Sequence, residues 1–335
     1  MSPRLGLLFP DLWLRNGPRV WALLPLAALF RTLSALRRVA YATGLRRVVR
    51  LPVPVIVIGN IVVGGTGKTP LVLWTVRELL RRGARPGIVL RGYGGAATAS
   101  PQLVDATSDA VAVGDEAVLL ARRSRCPVVA GADRAAAAQR LLDTGAVDVI
   151  VADDGLQHYR LGRDAEIAVI DAARGVGNGH CLPAGPLREP PSRLRRCDLV
   201  IASGGPHHLA QCHFGLRIRS ARPLSGDGVV RPLDSFAGQQ VHAIAGIGRP
   251  ERFFNALQRI GIAVIAHPFP DHHRFRQEDL MFNDTLPVLM TEKDAVKCAD
   301  LVDVRHWVVP AETVLGDPAR RALGAVIDAA LAGQR

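Results

Sequence analysis

The sequence predicts an α/β fold in which a parallel sheet, covered by helices on both faces, is followed by a second and smaller α/β domain. Short apolar runs rich in Val and Ile alternate, from Val53 onward, with segments whose apolar residues recur at helical spacing. A glycine-rich turn joins the first apolar run to a helix, and acidic residues directly follow other runs. This pattern is typical of parallel sheets, which bind ligands at the carboxyl ends of their strands.

The first predicted strand is 55–58, and the helix after the glycine-rich turn runs over residues 70–82. Pro70 suits the first turn of that helix and Gly83 its C-terminal cap. The same patterns predict further strands at 87–90, 127–130, 147–152, 166–171 and 198–202. One further helix is predicted to follow the motif 113–116 and to end at residue 123, and another is predicted at 133–142. The proline-rich stretch 182–191 predicts no regular structure.

Four regions follow from these elements: a basic N-terminal segment (1–50), a first α/β domain (51–213), a hairpin linker (214–235) and a smaller α/β domain (236–335). Alternating apolar and basic residues around Ser225-Gly226-Asp227-Gly228 indicate the hairpin. In the smaller domain, strands are predicted at 241–245, 264–266, 288–290 and 307–309.

Composition limits the class of partner. The chain has 335 residues and a net charge of +12, which favours an anionic partner. Aromatic residues make up only 5% and do not alternate with basic ones, so we expect no nucleic-acid partner. The five cysteines are scattered, which argues against a disulfide framework and for a reducing compartment. His207, His208, Cys212 and His213 lack paired zinc-ligand spacing, so a polar surface stretch is the favoured interpretation over a metal site.

The N-terminal segment has a composition of its own. Residues 1–50 contain nine arginines and one acid, Asp11, with an apolar run of 11 residues at 20–30 that includes Pro25. That run is shorter than the roughly 20 residues of a membrane-spanning helix, and no cleavage site of a secretory signal follows it. Arginines beside Trp and Leu favour a helical segment lying on an anionic membrane surface. The alternative is a basic helical hairpin packed on the protein itself.

The glycine-rich turn is a phosphate-binding loop by its residue types. It contains Gly64, Gly65, Thr66, Gly67, Lys68 and Thr69 between a strand and a helix. Free backbone N–H groups and the helix N-terminus attract phosphate oxygens, Lys68 reaches the β- and γ-phosphates, and the Thr69 hydroxyl is a Mg²⁺ ligand. The usual pattern has a glycine five residues before Gly67, where this chain has Val62. The sequence therefore predicts a P-loop NTPase-like nucleotide site.

Acidic residues at strand ends supply further candidates. Asp153 and Asp154 follow an apolar strand 85 residues after Lys68, as expected for the Mg²⁺ side of a phosphate-loop enzyme. Asp115 precedes a helix and has two open interpretations, a helix N-cap or the base that accepts a hydroxyl proton. In the smaller domain, the loop 270–275 contains Asp271, His272 and His273, and residues 291–297 also follow a strand, where Glu292 and Lys293 start a helix.

Nine motifs occurring in one order resemble a known family. They are Gly59-Asn60-Ile61, Gly64 to Pro70, Arg91-Gly92-Tyr93-Gly94, Val113-Gly114-Asp115-Glu116, Asp153 to His158, Leu182 to Glu189, Gly246 to Phe253, and Asp271-His272-His273 with Thr291 to Asp294. Together they cover about residues 53–300 and resemble the tetraacyldisaccharide 4′-kinase family of lipid A biosynthesis. That family's loop also lacks the early glycine, and its Gly-Asp-Glu motif often continues with proline where this chain has Ala117.

The resemblance implies a reaction and its participants. ATP would phosphorylate the 4′-hydroxyl of a tetraacylated glucosamine disaccharide 1-phosphate, with Mg²⁺, at the cytoplasmic face of a bacterial inner membrane. The anionic lipid and the membrane surface would be the partners, and we expect a monomer. A partitioning ATPase is the alternative, but its signature lysine before the two glycines is replaced here by Val63.

The resemblance also implies residue roles. Lys68 and Thr69 would bind the phosphates and Mg²⁺, and Asp153, Asp154 and Glu116 would form the metal side. Asp115 would take the hydroxyl proton with His272 paired to it, His273 being the alternative partner. Arg188 and Glu189 would assist at the transferring phosphate or the substrate.

Overall fold

The structure, a computed structural model, describes residues 13–92, 100–225, 228–298 and 303–333. Tyr93 and Gly94 of the motif that begins at Arg91, and Gly226 and Asp227 of the expected hairpin turn, lie outside the described residues, as does the acid Asp11.

Within the described residues, nine strands form one large sheet, hereafter the large sheet. They are β1 (Val55–Gly59), β2 (Pro86–Leu90), β3 (Gln102–Val104), β4 (Val128–Ala130), β5 (Val149–Asp153), β6 (Ala165–Asp171), β7 (Leu199–Ser203), β8 (Cys212–Ile218) and β15 (Ala311–Leu315). Their spatial order is β15-β8-β7-β6-β1-β5-β2-β4-β3. All pairs are parallel except those that attach the edge strands β3 and β15. The central position of β1 places the glycine-rich turn in the middle of the sheet edge.

Helices cover the large sheet on both faces. They are α2 (Lys68–Arg81), α3 (Ala110–Val113), α4 (Asp115–Ser124), α5 (Arg134–Leu142) and, near the C-terminus, α9 (Asp317–Ala332). Alternate side chains of β1 enter different cores: Ile56 and Ile58 pack with α2, α4 and α9, while Val55 and Val57 pack with α5. Two-sided burial explains why the strands are almost continuously apolar.

Six strands of the described residues form a second sheet, hereafter the small sheet. They are β9 (Ser220–Pro223), β10 (Arg231–Pro232), β11 (Gln240–Ala245), β12 (Ala263–Pro268), β13 (Val288–Thr291) and β14 (His306–Val309), in the order β10-β9-β14-β13-β11-β12. The helices α6 (Pro250–Gln258), α7 (Gln277–Leu280) and α8 (Glu292–Ala295) accompany them, with 3₁₀ turns at Pro191–Arg196 and Leu233–Phe236. The predicted α/β class and its second, smaller sheet are confirmed.

Sheet membership differs from the predicted division at two places. The strand β15 and the helix α9 belong to the large sheet, whereas the sequence assigned all residues after 236 to the smaller domain. These two elements belong to the large sheet because β15 pairs antiparallel with β8, and because α9 buries Leu323 and Ile327 in the core of that sheet. Of the expected hairpin linker, β9 and β10 do form an antiparallel pair, but β8 joins the large sheet. The domain boundaries themselves stay a prediction.

The N-terminal segment forms one long helix, α1 (Pro18–Ala42). It continues through Pro25 for 25 residues, so by length and composition it meets the requirement for crossing a membrane. The apolar run 20–30 is therefore only part of a longer helix, and the favoured interpretation, a helical segment lying on a membrane surface, stays a prediction. The expected alternative of a helical hairpin is not what the described residues form, since 18–42 is a single helix.

Candidate active site

The phosphate-binding loop is held in shape by glycine and by one amide side chain. Gly67 precedes α2 with φ 78°, and a Cβ there would lie 2.8 Å from the Ser203 hydroxyl oxygen. Both facts require glycine at this position. Asn60 Nδ2 donates to the Gly64 carbonyl oxygen at 3.3 Å and to Thr66 Oγ1 at 3.1 Å. The loop is thus formed and fixed at the carboxyl end of β1.

Val62, which stands where the usual pattern has glycine, has a structural reason. It is 4% exposed and forms an isolated antiparallel bridge with Leu187. The Val63 N–H donates to the Pro186 carbonyl at 2.9 Å, and the Arg188 N–H donates to the Ile61 carbonyl at 2.7 Å. Residues 61–63, at the start of the loop, therefore pair with the proline-rich stretch and are extended. A turn-forming glycine is not needed at position 62.

Lys68 and Arg188 meet at one carboxylate. Lys68 Nζ lies 3.3 Å from Asp154 Oδ1, and Arg188 Nη1 donates to Asp154 Oδ2 at 2.8 Å. Burial favours the neutral acid, but these two cations outweigh it and hold the pKa of Asp154 well below its usual range. Asp154 has φ 51°, in the left-handed region that a non-glycine residue adopts rarely. Strained backbone of this type is common at functional sites.

Asp153 has the surroundings of a cation ligand. It is 2% exposed, and its Oδ1 has no hydrogen-bond partner among the described residues. Burial first, and then the charge of Glu116, raise the pKa of Asp153 to about 7. A buried carboxylate oxygen without a partner, next to the carboxylate of Asp154, is the kind of ligand that a divalent cation takes. No group of three or more His, Cys, Asp or Glu in the described ranges is arranged to hold a metal ion.

Asp115 and His272 come from the two sheets and meet. Asp115 begins α4 beside the large sheet, and His272 lies in the loop after β12 of the small sheet. His272 Nδ1 is 3.0 Å from Asp115 Oδ2 and 3.1 Å from Oδ1. Burial raises the pKa of Asp115, but the hydrogen bond from His272 and the charge of Lys293 lower it below its ordinary value overall. The same pairing outweighs burial at His272 and raises its pKa.

His273, the alternative partner, points elsewhere. Its Nε2 lies 3.0 Å from Asp279 Oδ2, and its ring stacks at 4.7 Å on Phe269. The structure therefore brings His272, and not His273, to Asp115.

Glu116 and Glu189 have partners other than phosphate. Glu116 Oε1 lies 3.0 Å from Lys293 Nζ, although its charge still acts on Asp153. Glu189 is 2% exposed, and its Oε1 accepts from Arg38 Nη1 of α1 at 3.0 Å. Its carboxylate also accepts from the Tyr159 hydroxyl and from Gln157 Nε2. The structure thus places Glu189 between α1 and the loop after β5, where its contacts are those of an anchor; its role at the transferring phosphate or the substrate stays a prediction.

Contacts from the small sheet reach the phosphate-binding loop as well. A Cβ at Gly248 would lie 3.4 Å from the Gly65 backbone nitrogen. Arg249 Nη1 and Arg252 Nη2 lie 3.0 and 2.7 Å from the carboxylate of Asp171, which ends β6. The sequence analysis missed these ion pairs and the roles of Arg38 and Lys293. For Arg249, Arg252 and Lys293 the signal in the sequence was their position after predicted strands, whereas Arg38 lies in the N-terminal segment and had no such signal.

The metal alternative for the histidine-rich stretch finds no support within the described part of the chain. His207 and His208 stack on each other at 4.4 Å, and no metal-binding group includes them.

The site is therefore that of an ATP-type phosphotransferase: a phosphate-binding loop with its lysine, two acids at the end of the neighbouring strand β5, and an Asp–His pair formed between the two sheets. The structure resembles the "apo" form of LpxK from Aquifex aeolicus in complex with ATP, with a TM-score of 0.78 at 27% identity over 93% of this chain and 99% of that one.

Sequence comparison reaches the same family. The model of the family "Tetraacyldisaccharide-1-P 4'-kinase" matches residues 19–332. Proteins named tetraacyldisaccharide 4′-kinase are 51% identical in Nitrosococcus oceani, over 90% of this chain and 89% of that protein, and 54% identical in Alkalilimnicola ehrlichii, over 90% and 92%. The chain belongs to the tetraacyldisaccharide 4′-kinase family and is a kinase.

Proposed function

We propose that this kinase transfers the γ-phosphate of ATP, with Mg²⁺, to the 4′-hydroxyl of a tetraacylated glucosamine disaccharide 1-phosphate. The reaction takes place at the cytoplasmic face of the bacterial inner membrane, and the enzyme acts as a monomer. Family membership and the ATP complex of the Aquifex aeolicus protein support the choice of donor and acceptor. The observation that carries the chemistry is the contact between Asp115 and His272 beside the phosphate-binding loop.

The donor side uses residues of the large sheet. Backbone N–H groups of the glycine-rich loop and the N-terminus of α2 bind the phosphates, and Lys68 neutralises their charge. Thr69, Asp153 and Asp154 would hold Mg²⁺, which supplies charge neutralisation at the phosphates when bound. Asp154 holds Lys68 and Arg188 together directly after β5, where both cations would be available to the transferring group.

The acceptor side uses the Asp115–His272 pair. Phosphoryl transfer needs positioning, charge neutralisation and a proton acceptor for the attacking hydroxyl. Because its pKa is lowered, Asp115 stays ionised and can take the 4′-hydroxyl proton. His272 donates a hydrogen bond to this carboxylate through Nδ1 and so orients it.

The lipid acceptor also accounts for the surface of α1. Val20 and Ala27 pack against Ala184, and Arg38 reaches Glu189, so one side of α1 faces the body of the protein. The opposite side exposes a stripe of large apolar residues, namely Trp21, Leu26, Leu29, Leu33 and Leu36, each more than half exposed. An apolar stripe flanked by arginines fits a membrane interface that contains an anionic lipid.

Transfer of labelled γ-phosphate from ATP to the tetraacylated disaccharide 1-phosphate, by purified protein in detergent micelles, tests this proposal. We expect phosphate in the lipid product, and none with a Lys68→Ala preparation made in parallel. ATP hydrolysis without lipid phosphorylation would contradict the proposal and would favour the partitioning ATPase instead.

A further inference from the structure

Lys293 lies between the two sheets with its ammonium group in ion pairs on both sides. It belongs to α8, and its side chain is 14% exposed. Its Nζ is 3.0 Å from Glu116 Oε1, which is part of α4 beside the large sheet, and 2.9 Å from Asp271 Oδ1 of the small-sheet loop. One cation therefore connects two acids that belong to different sheets.

These two acids are the chain neighbours of the catalytic pair. Glu116 follows Asp115, and Asp271 precedes His272. Lys297, in the turn that follows α8, lies near the catalytic carboxylate itself, with its Nζ 3.9 Å from Asp115 Oδ2. Lys293 therefore holds the residue beside each member of the pair, Glu116 beside Asp115 and Asp271 beside His272.

The backbone at His272 shows why such fixing is needed. His272 has φ 61°, which is in the left-handed region of the backbone. A non-glycine residue is rarely found in this region unless its surroundings hold it there. Asp271 Oδ1 accepts the His272 N–H at 3.1 Å and also receives Lys293 Nζ. The ammonium group thus anchors the carboxylate that stabilises this conformation, and the conformation in turn aims Nδ1 at Asp115.

We propose that Lys293 is a positioning residue for phosphoryl transfer, which holds the Asp115–His272 pair in register by bridging Glu116 and Asp271. The proposal rests on the proposed function, because it assumes that this pair accepts the proton. Replacing Lys293 leaves two neighbouring carboxylates without their shared cation, and their repulsion moves the loop that carries His272 away from Asp115.

The experiment compares Lys293→Met with a matched control. We expect Lys293→Met to lower kcat by about 10–100-fold, the scale of a misplacement of about 1 Å in a reacting group, with KM for ATP changed less than about threefold. Lys293→Arg, which keeps the charge, should recover part of the loss. The control is Arg123→Met, because Arg123 is also 14% exposed and also joins α4 to α8 through Glu292, away from the catalytic pair.

A second measurement separates positioning from general weakening of the sheet contact. In an Asp115→Asn background, Lys293→Met should lower kcat by no more than about twofold further, because residues that act as a unit are not additive. Circular dichroism and melting curves confirm that each variant is folded. An equal kcat loss in Arg123→Met, a full loss repeated in the Asp115→Asn background, or wild-type kcat in Lys293→Met would each overturn the inference.

The kcat values of Asp115→Asn and Lys293→Met also distinguish a failure of the proposed function from a failure of the role of Lys293. If Asp115→Asn retains wild-type kcat, the catalytic pair itself is wrong. If Asp115→Asn is impaired while Lys293→Met is not, the pair stands and only the role of Lys293 is wrong.

Discussion

The two halves of the active site are built in different ways. The phosphate side, with Lys68, Asp153 and Asp154, comes from adjacent strands β1 and β5 of one sheet. The acceptor side, with Asp115 and His272, comes from two sheets and depends on a contact between residues 157 positions apart. The phosphate side is therefore held by sheet hydrogen bonds, while the acceptor side is held by side-chain ion pairs.

This difference predicts how each half responds to mutation. A strand end is fixed by many backbone hydrogen bonds, so a substitution there changes the charge offered to the ligand and little else. The geometry of a pair that is joined only through side chains also changes when the neighbouring side chains are replaced. Substitutions on the acceptor side should therefore act as a unit, whereas coupling on the phosphate side should be confined to the ion pairs of Asp154 with Lys68 and Arg188.

The largest effect should come from Lys68→Ala. In the proposed reaction Lys68 neutralises the charge of the transferring phosphate, and losing charge stabilisation of this kind costs about 3 kcal/mol or more, about 10²-fold or more in kcat/KM. Its partner Asp154 keeps Arg188 as a counter-ion, so the fold should persist. Steady-state kinetics at saturating lipid, with melting curves as the folding control, measures both. A wild-type rate would show that the loop does not bind the transferring phosphate.

Asp115→Asn should lower kcat by about 10²-fold, the scale for a missing general base, and should change KM for ATP little. The asparagine keeps the shape of the side chain but not the charge that takes the proton. Initial rates over a range of ATP concentrations give the two constants separately. If kcat is unchanged, Asp115 is only the first residue of α4, which is the helix-cap interpretation.

His272→Ala should lower kcat less than Asp115→Asn does, because His272 orients the base and does not take its place. The double variant should be less impaired than the product of the two single effects. His273→Ala is the matched control, since His273 pairs with Asp279 and should leave kcat near wild type. Fully multiplicative effects would contradict the comparison between the two halves of the site.

Glu189→Gln should affect stability before it affects chemistry. The buried carboxylate accepts hydrogen bonds from Arg38, Tyr159 and Gln157, and an amide can satisfy only part of them. Disturbing one buried, charge-assisted interaction costs about 1–3 kcal/mol. We expect a lower midpoint of thermal unfolding with KM for ATP nearly unchanged. A kcat loss as large as that of Asp115→Asn, at unchanged stability, would indicate that Glu189 acts at the transferring phosphate.

The smallest effect is expected on the apolar stripe of α1. Leu29→Ser and Leu33→Ser should each weaken binding to vesicles of anionic phospholipid by about tenfold, because each removes an apolar side chain worth about 1.5–3 kcal/mol when fully buried. ATP hydrolysis or transfer in detergent should change little. The control is Leu216→Ser, an exposed leucine on β8 of the large sheet. Equal vesicle binding by all three variants would mean that the stripe does not face lipid.

The sequence alone determined the local parts of this protein. Alternating strands and helices, the phosphate-binding loop and the acids at strand ends could all be predicted, because strand polarity and glycine spacing act over a few residues. The motifs also indicate the family from the sequence alone. The loop, Asp153 and Asp154 come to one edge because parallel strands carry their carboxyl ends there.

Only the tertiary structure decided which distant side chains meet. It brought His272, and not His273, to Asp115, moved β15 and α9 into the large sheet, and turned Glu189 towards α1. Each of these depends on the packing of one unit on another, where contacts between residues far apart in the chain leave no periodic trace in the sequence. From the sequence, Lys293 is predicted only to start a helix. The tertiary structure brings Glu116 and Asp271 to it, one from the side of each sheet, and so gives it a bridging position.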